Sequence, residues 1–286
     1  MARKPDKDPS PEAEEDILEG HEQEDAERRS PPRAAVVYET VRREGEYELA
    51  RPTGSLAWSG LAAGLSMGFS FMAQSLLATY LPDADWAHVV SDLGYSVGFM
   101  IVILGRQQLF TENTLTPVTE LLRRRTAACL IKVLRLWGIV LLTNTLGAFI
   151  FALLIGNTSL LTPEMHRTFA AISMGAFSTG FSTTLLRAVF AGWLIATLIW
   201  LMPFAESNRV GVIVIITYVI ALGQFSHIIA GSVDAFYAVV TDHASWGAFF
   251  GRFYVPTLIG NIAGGVPLVA VINYAQVEFI RKETGE

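Results

Sequence analysis

Four stretches of this chain contain no Asp, Glu, Lys or Arg: residues 52–82, 136–163, 210–233 and 253–277. A helix needs roughly 20 apolar residues to cross a bilayer core, and each stretch is long enough. Two more windows come close. Residues 93–105 continue past Arg106 to Leu122, and residues 168–205 are interrupted only by Arg187. The pattern predicts an all-α membrane protein with six spans, at about 54–80, 92–122, 127–156, 180–203, 209–241 and 252–277.

Charge divides the chain sharply. Residues 1–51 hold 9 Lys and Arg and 15 Asp and Glu, and the remainder holds 12 of each sign. The net charge of −6 therefore belongs to the N-terminal segment and says nothing of the apolar body; nothing in it points to nucleic acid. Residues 1–33 are too polar to offset their ordering entropy, which predicts a disordered acidic cytoplasmic tail with no cleavable signal. Residues 34–51 alternate Val36, Val37, Val41 and Tyr47 with charges, which predicts an amphipathic helix lying along the membrane face. A six-span domain over 52–280 and a short C-terminus, 281–286, complete the layout. The single cysteine, Cys129, has no metal-ligand neighbours and forms no intrachain disulfide.

Basic residues fix the expected orientation. Arg42, Arg43 and Arg51 precede the first span, Arg123-Arg124-Arg125 follow the second, and Arg281 and Lys282 follow the sixth. The opposite side offers Asp83, Asp85 and Asp92 in its first loop. Both termini are placed in the cytoplasm, as an even span count requires.

Two spans carry polar interruptions. In the second it is Leu109-Phe110-Thr111-Glu112-Asn113-Thr114; in the fifth, Gln224-Phe225-Ser226-His227. Each is followed one span later by an asparagine and a glycine: Asn144 with Gly147, and Asn261 with Gly264. The spacings match, since Thr111 to Asn144 is 33 residues and His227 to Asn261 is 34. Three spans followed by three run in opposite senses, the signature of an inverted repeat. A break at membrane depth is tolerated only where protein or a watery cavity satisfies its backbone. Two half-helices starting near the midplane would aim positive dipole ends at one point and stabilise a passing anion. The plainer reading is a pair of kinks in packed helices.

These motifs, together with Phe225-Ser226-His227-Ile228-Ile229-Ala230 and Ile259-Gly260-Asn261-Ile262-Ala263-Gly264-Gly265, resemble the formate/nitrite transporter family over about residues 36–280. The likeness extends to an uncharacterised bacterial inner-membrane branch with a long acidic N-terminal tail. The resemblance implies an aquaporin-like fold, a homopentamer with a pore in each protomer, and a small monovalent anion of a weak acid as solute. It places the pore threonine at Thr111 and the central histidine at His227, with Leu109 and Ile220 as apolar constrictions and Phe110, Asn113, Phe225 and Ser226 beside them. It also places Gly192 and Gly231 where the family usually carries Asn, and Ser226 where it usually carries Glu. A channel for a small neutral solute is the alternative that these changes keep open.

His227 alone among five histidines lies within a long apolar stretch. It either shares a proton with the solute or bonds a backbone carbonyl as a structural residue. Thr111 reads both as a pore donor and as a cap for the half-helix that follows. Arg106 and Asp234 are expected to pair in the outer half of the membrane, as a vestibule or as a buried ion pair, because a lone charge there is costly. No phosphate-binding loop, cofactor motif or metal-ligand spacing occurs, and no enzymatic role is expected. Ser226 beside His227 does not make a nucleophile–base pair, since helical neighbours face different ways.

Overall fold

A computed structural model describes residues 33–284, less the side chains of Glu206 and residues 280–284. The tail expected over residues 1–33 lies outside the described residues except for Arg33, as do the side chains of Arg281 and Lys282.

The described chain is helical throughout. In order come α1 (Ala34–Ala50), α2 (Thr53–Tyr80), α3 (Ala87–Leu104), α4 (Thr116–Arg124), α5 (Ala127–Gly156), α6 (Pro163–Ser173), α7 (Phe181–Phe204), α8 (Arg209–Leu222), α9 (Ala230–Val240) and α10 (Trp246–Phe279). Five of them, α2, α3, α5, α7 and α10, are long and apolar enough to cross a membrane. Six were predicted. The difference is the stretch 209–241, which divides into α8 and α9 around a break at residues 223–229. A helix of 14 residues rises roughly 21 Å, short of a hydrocarbon core of about 30 Å. The expected second span divides the same way: α3 ends at Leu104, and α4 starts at Thr116.

α1 docks its apolar stripe on protein. Its buried stripe is Val37, Tyr38, Val41 and Leu49, whereas Val36 and Tyr47 are exposed. Val37 and Val41 pack on Leu115 and Val118, protein rather than lipid. Tyr38 donates its hydroxyl to the carbonyl of Thr119 at 3.1 Å. Beside it the buried Glu120 carboxylate accepts from Arg42 of α1 at 2.7 Å, from Arg123 at 2.9 Å, and from Arg124. Three guanidiniums compensate one desolvated carboxylate, which is what burial of that charge requires. Further out on α1, Arg42 holds the Glu39 carboxyl down to about 2, against a smaller opposing effect of burial and with help from Arg43.

Small residues let helix pairs approach closely. A Cβ on Gly64 of α2 would strike the Asn144 carbonyl of α5, and one on Gly192 of α7 would strike the Asn261 carbonyl of α10. Gly147 sits likewise on the Leu61 carbonyl and Gly264 on that of Val189. Gly192 therefore faces α10 at a backbone contact. A side chain as large as asparagine has no room there. At Gly231 a Cβ would press on the Phe253 ring.

The same approach delivers the two asparagines to the two breaks. Asn144 accepts the amide of Phe110 at 2.9 Å and donates to the carbonyls of Gln108 at 2.9 Å and Gly60 at 2.7 Å. Asn261 accepts the amide of Ile228 at 2.8 Å and donates to Ser226 at 2.9 Å and Ala188 at 2.8 Å. Each break turns at a residue with positive φ, 51° at Arg106 and 49° at Gln224. Asn144→Ala and Asn261→Ala are each expected to lower the thermal unfolding midpoint in detergent, at a cost of about 1–3 kcal/mol per buried group stranded. Unchanged midpoints in both would mean that packing alone holds the breaks.

Candidate functional site

The two breaks meet at one hydrogen bond. His227 Nε2 lies 2.8 Å from Thr111 Oγ1, with both side chains buried. The other ring nitrogen decides the proton's place. His227 Nδ1 accepts backbone amides from Ala230 at 3.1 Å and Ile229 at 3.3 Å, so it carries no hydrogen. The neutral ring must then be protonated at Nε2, which donates to Thr111. The threonine hydroxyl is left with its own hydrogen to offer.

This geometry bears on two readings of the sequence. His227 has a structural bond, but to amides at the start of α9 rather than to a carbonyl, so the ring caps the half-helix and presents a donor at once. Thr111 caps nothing: its hydroxyl makes no bond to the amides after it, and its bond goes to His227. Amides within both breaks and at the first residue of α9 are also occupied. Phe110 and Ile228 bond the asparagines, and Ile229 and Ala230 bond the histidine. The start of α9 therefore offers less free N–H than a bare half-helix end would.

Apolar side chains close around the pair. Leu109, Phe110 and Ile220 are buried in one cluster, with Phe225 packed against it. Phe225 stacks on Phe190 at 5.2 Å, and Phe110 meets Trp137 edge-on at 5.8 Å. Phe99 of α3 stands edge-on to the His227 ring at 5.0 Å. Sequence reading did not single it out, since an aromatic in an apolar helix carries no mark of what it faces. Asn113 is turned inward to the break, donating to Gln108 Oε1 and the Leu109 carbonyl, each at 3.1 Å. Ser226 contributes its carbonyl to the Asn261 clamp and is half-buried.

Arg106 and Asp234 are not brought together. Arg106 is exposed and bonds Glu44 of α1 at 2.6 Å. Asp234, on α9, has no ion pair among the described residues. The reason is α1: by docking against the break it brings a carboxylate to Arg106, a contact 62 residues away in sequence. Between α1 and the break lies a cavity of about 550 Å³ lined by Glu44, Glu48, Arg51, Arg106, Gln107 and Glu112 among others.

A membrane-spanning helical body, two broken helices pinned by asparagines, and a buried histidine–threonine pair where they meet define a transporter or channel of the broken-helix class. The sequence profile of the formate/nitrite transporter family matches residues 35–275, and the chain belongs to that family. It is 40% identical to the inner membrane protein YfdC of Escherichia coli strain K12 over 88% of this chain and 81% of that protein. It is 26% identical to the formate channel BtFdhC of Bacillus thuringiensis, over 84% and 93%. Among solved structures it resembles a pentameric formate channel with formate bound, with a TM-score of 0.65 and 19% identity over 79% of this chain and 97% of that one. The chain is thus a multi-pass membrane protein of a transporter and channel family.

The tautomer is directly measurable. In ¹⁵N-histidine-labelled protein, His227 is expected to show a protonated Nε2 and a bare Nδ1 across neutral pH. The opposite tautomer would contradict the direction assigned to the Thr111 bond.

Proposed function

We propose that each protomer passes a small monovalent anion of a weak acid, of the formate and nitrite class, past Thr111 and His227, either passively or with a proton. The observation that carries this reading is the Nε2–H donor of a neutral imidazole, bonded to a threonine hydroxyl inside an apolar sleeve. An anion entering that sleeve loses its hydration, which is costly at low dielectric. The Thr111 hydroxyl hydrogen, left over by the bond from Nε2–H, offsets part of that cost, and a solute that can share a proton avoids most of it. Leu109 and Ile220 act as the apolar constrictions, and Phe110 and Phe225 line the approach.

In this reading α3 with α4, and α8 with α9, each count as one broken span. The total is then six, arranged as inverted halves, and the matched asparagine clamps support that pairing. The pentameric assembly named for the similar solved structure supports a homopentamer here. The inner-membrane relative supports a bacterial inner-membrane location, and the basic residues before α2 and after α4 support cytoplasmic termini. One observation favours a neutral solute instead: amides at the start of α9 are already bonded, which weakens the field available to an anion.

Flux into proteoliposomes separates the two. Formate or nitrite uptake that rises with acidity is expected in the wild type. His227→Ala and Thr111→Ala should each reduce it about tenfold or more, the equivalent of one hydrogen bond of about 1–3 kcal/mol at the barrier. Uptake of glycerol alone would select the neutral-solute channel. No flux from well-folded protein would remove transport of these solutes.

A further inference from the structure

The cavity under α1 holds three carboxylates and three guanidiniums: Glu44, Glu48, Glu112, Arg51, Arg106 and Arg209. Four of these six are already paired. Glu44 bonds Arg106 at 2.6 Å, and Glu48 bonds Arg51 at 3.0 Å. Arg209 is exposed at the start of α8 and bonds no carboxylate among the described residues. Glu112 is left over: its Oε1 is buried and has no hydrogen-bond partner. On the same wall, Gln107 Oε1 is buried and equally without a donor. Both donorless acceptor oxygens belong to residues that line one cavity, and Glu112 is one residue along the chain from the threonine that bonds His227. Leaving such groups unmet is costly, so the site suits something that brings a hydrogen.

A metal ion is a poor occupant. No group of three or more His, Cys, Asp or Glu is placed to hold one among the described residues. A proton needs only one carboxylate. Building on the weak-acid reading above, we propose that Glu112 is the proton-carrying group at the α1 end of the pore. A solute that reaches the cavity as the neutral acid gives its proton to Glu112. The acid O–H bond breaks, its electron pair stays on the solute oxygen, and a new O–H bond forms at Glu112 Oε1. The anion leaves through the cavity. Glu112 then releases the proton to water there, and the reverse sequence loads a solute from this side. The facing charges are compatible with such a transfer. On α1, Glu44 and Glu48 are held by their arginines, Tyr47 is the other titratable group, and Arg209 stands free at the mouth. A pathway of this kind puts the proton step at a residue beside the histidine pair, with the imidazole remaining a donor throughout.

The test uses the full-length protein in proteoliposomes with radiolabelled formate outside and a pH indicator trapped inside, comparing wild type, Glu112→Gln and Glu112→Asp. Glu112→Gln keeps the shape and removes the titrating group. It is expected to cut formate-linked proton uptake about tenfold or more and to flatten its acid dependence, with Glu112→Asp restoring part of both. In parallel, an infrared pH titration should show a protonated-carboxyl band that vanishes in Glu112→Gln but persists in Glu44→Gln and Glu48→Gln. A Glu112→Gln protein with the wild-type proton-to-formate ratio, pH profile and infrared band overturns the proposal. If wild type carries no formate, the weak-acid reading fails, and the infrared band alone then decides whether Glu112 holds a proton.

Discussion

The structure depends on how two breaks in apolar helices find partners for their backbone. In lipid no water takes up an N–H or C=O freed from a helix, so a break survives only with partners built in. Asn144 and Asn261 supply three each. They can do so only because their own helices lie close to α2 and α7, and that approach requires glycine at 64 and 192. Small residues and asparagines are thus one device: the first brings the backbone within reach, and the second uses the proximity.

The site follows from where those breaks end. Once Asn261 holds Ile228, the following two amides are free to bond His227 Nδ1, and that choice fixes the ring's proton on Nε2. Once Asn144 holds Phe110, the next side chain, Thr111, is delivered to that proton. Neither side chain could take its part without the clamp on its own break. Position and protonation state arise together, with Phe99 edge-on to the ring and Leu109 and Ile220 buried in the neighbouring apolar cluster.

Much of this was legible in the sequence. A charge-free window reveals a membrane helix, a polar cluster within it reveals a break, and matched distances to Asn144 and Asn261 tie the breaks to their clamps. His227 and Thr111 were each singled out through family likeness and polarity in an apolar context, but not as a bonded pair. What was not legible depends on which element folds back on which. Arg106 looked stranded within a span because its partner, Glu44, comes from a helix read as lying on lipid. Gly192 looked like a lost polar group because the family likeness marks the position but not the backbone it touches. Thr111 looked like a cap because caps and ligands use the same atoms, and only the approach of His227 from the other break distinguishes them. The stretch holding α8 and α9 read as one span because its apolar composition runs through the break, whereas length measures each half alone.

The docked α1 makes the two ends of the molecule unequal. Its Arg42 reaches the buried Glu120 and its Glu44 reaches Arg106, the residue that turns the chain into the break carrying Thr111. Exposed pairs such as Arg106 with Glu44 contribute about 0–1 kcal/mol, so that contact alone holds little. The contact with Glu120 differs. The carboxylate is 1% exposed, and withdrawing Arg42 removes one of the three cations that permit its burial. α1 is consequently held chiefly through a charge requirement of α4, with its valines on Leu115 and Val118 adding apolar contact. The helix that leads into the membrane body is thus fastened just beyond the break that carries Thr111, and the cavity between them is bounded by both.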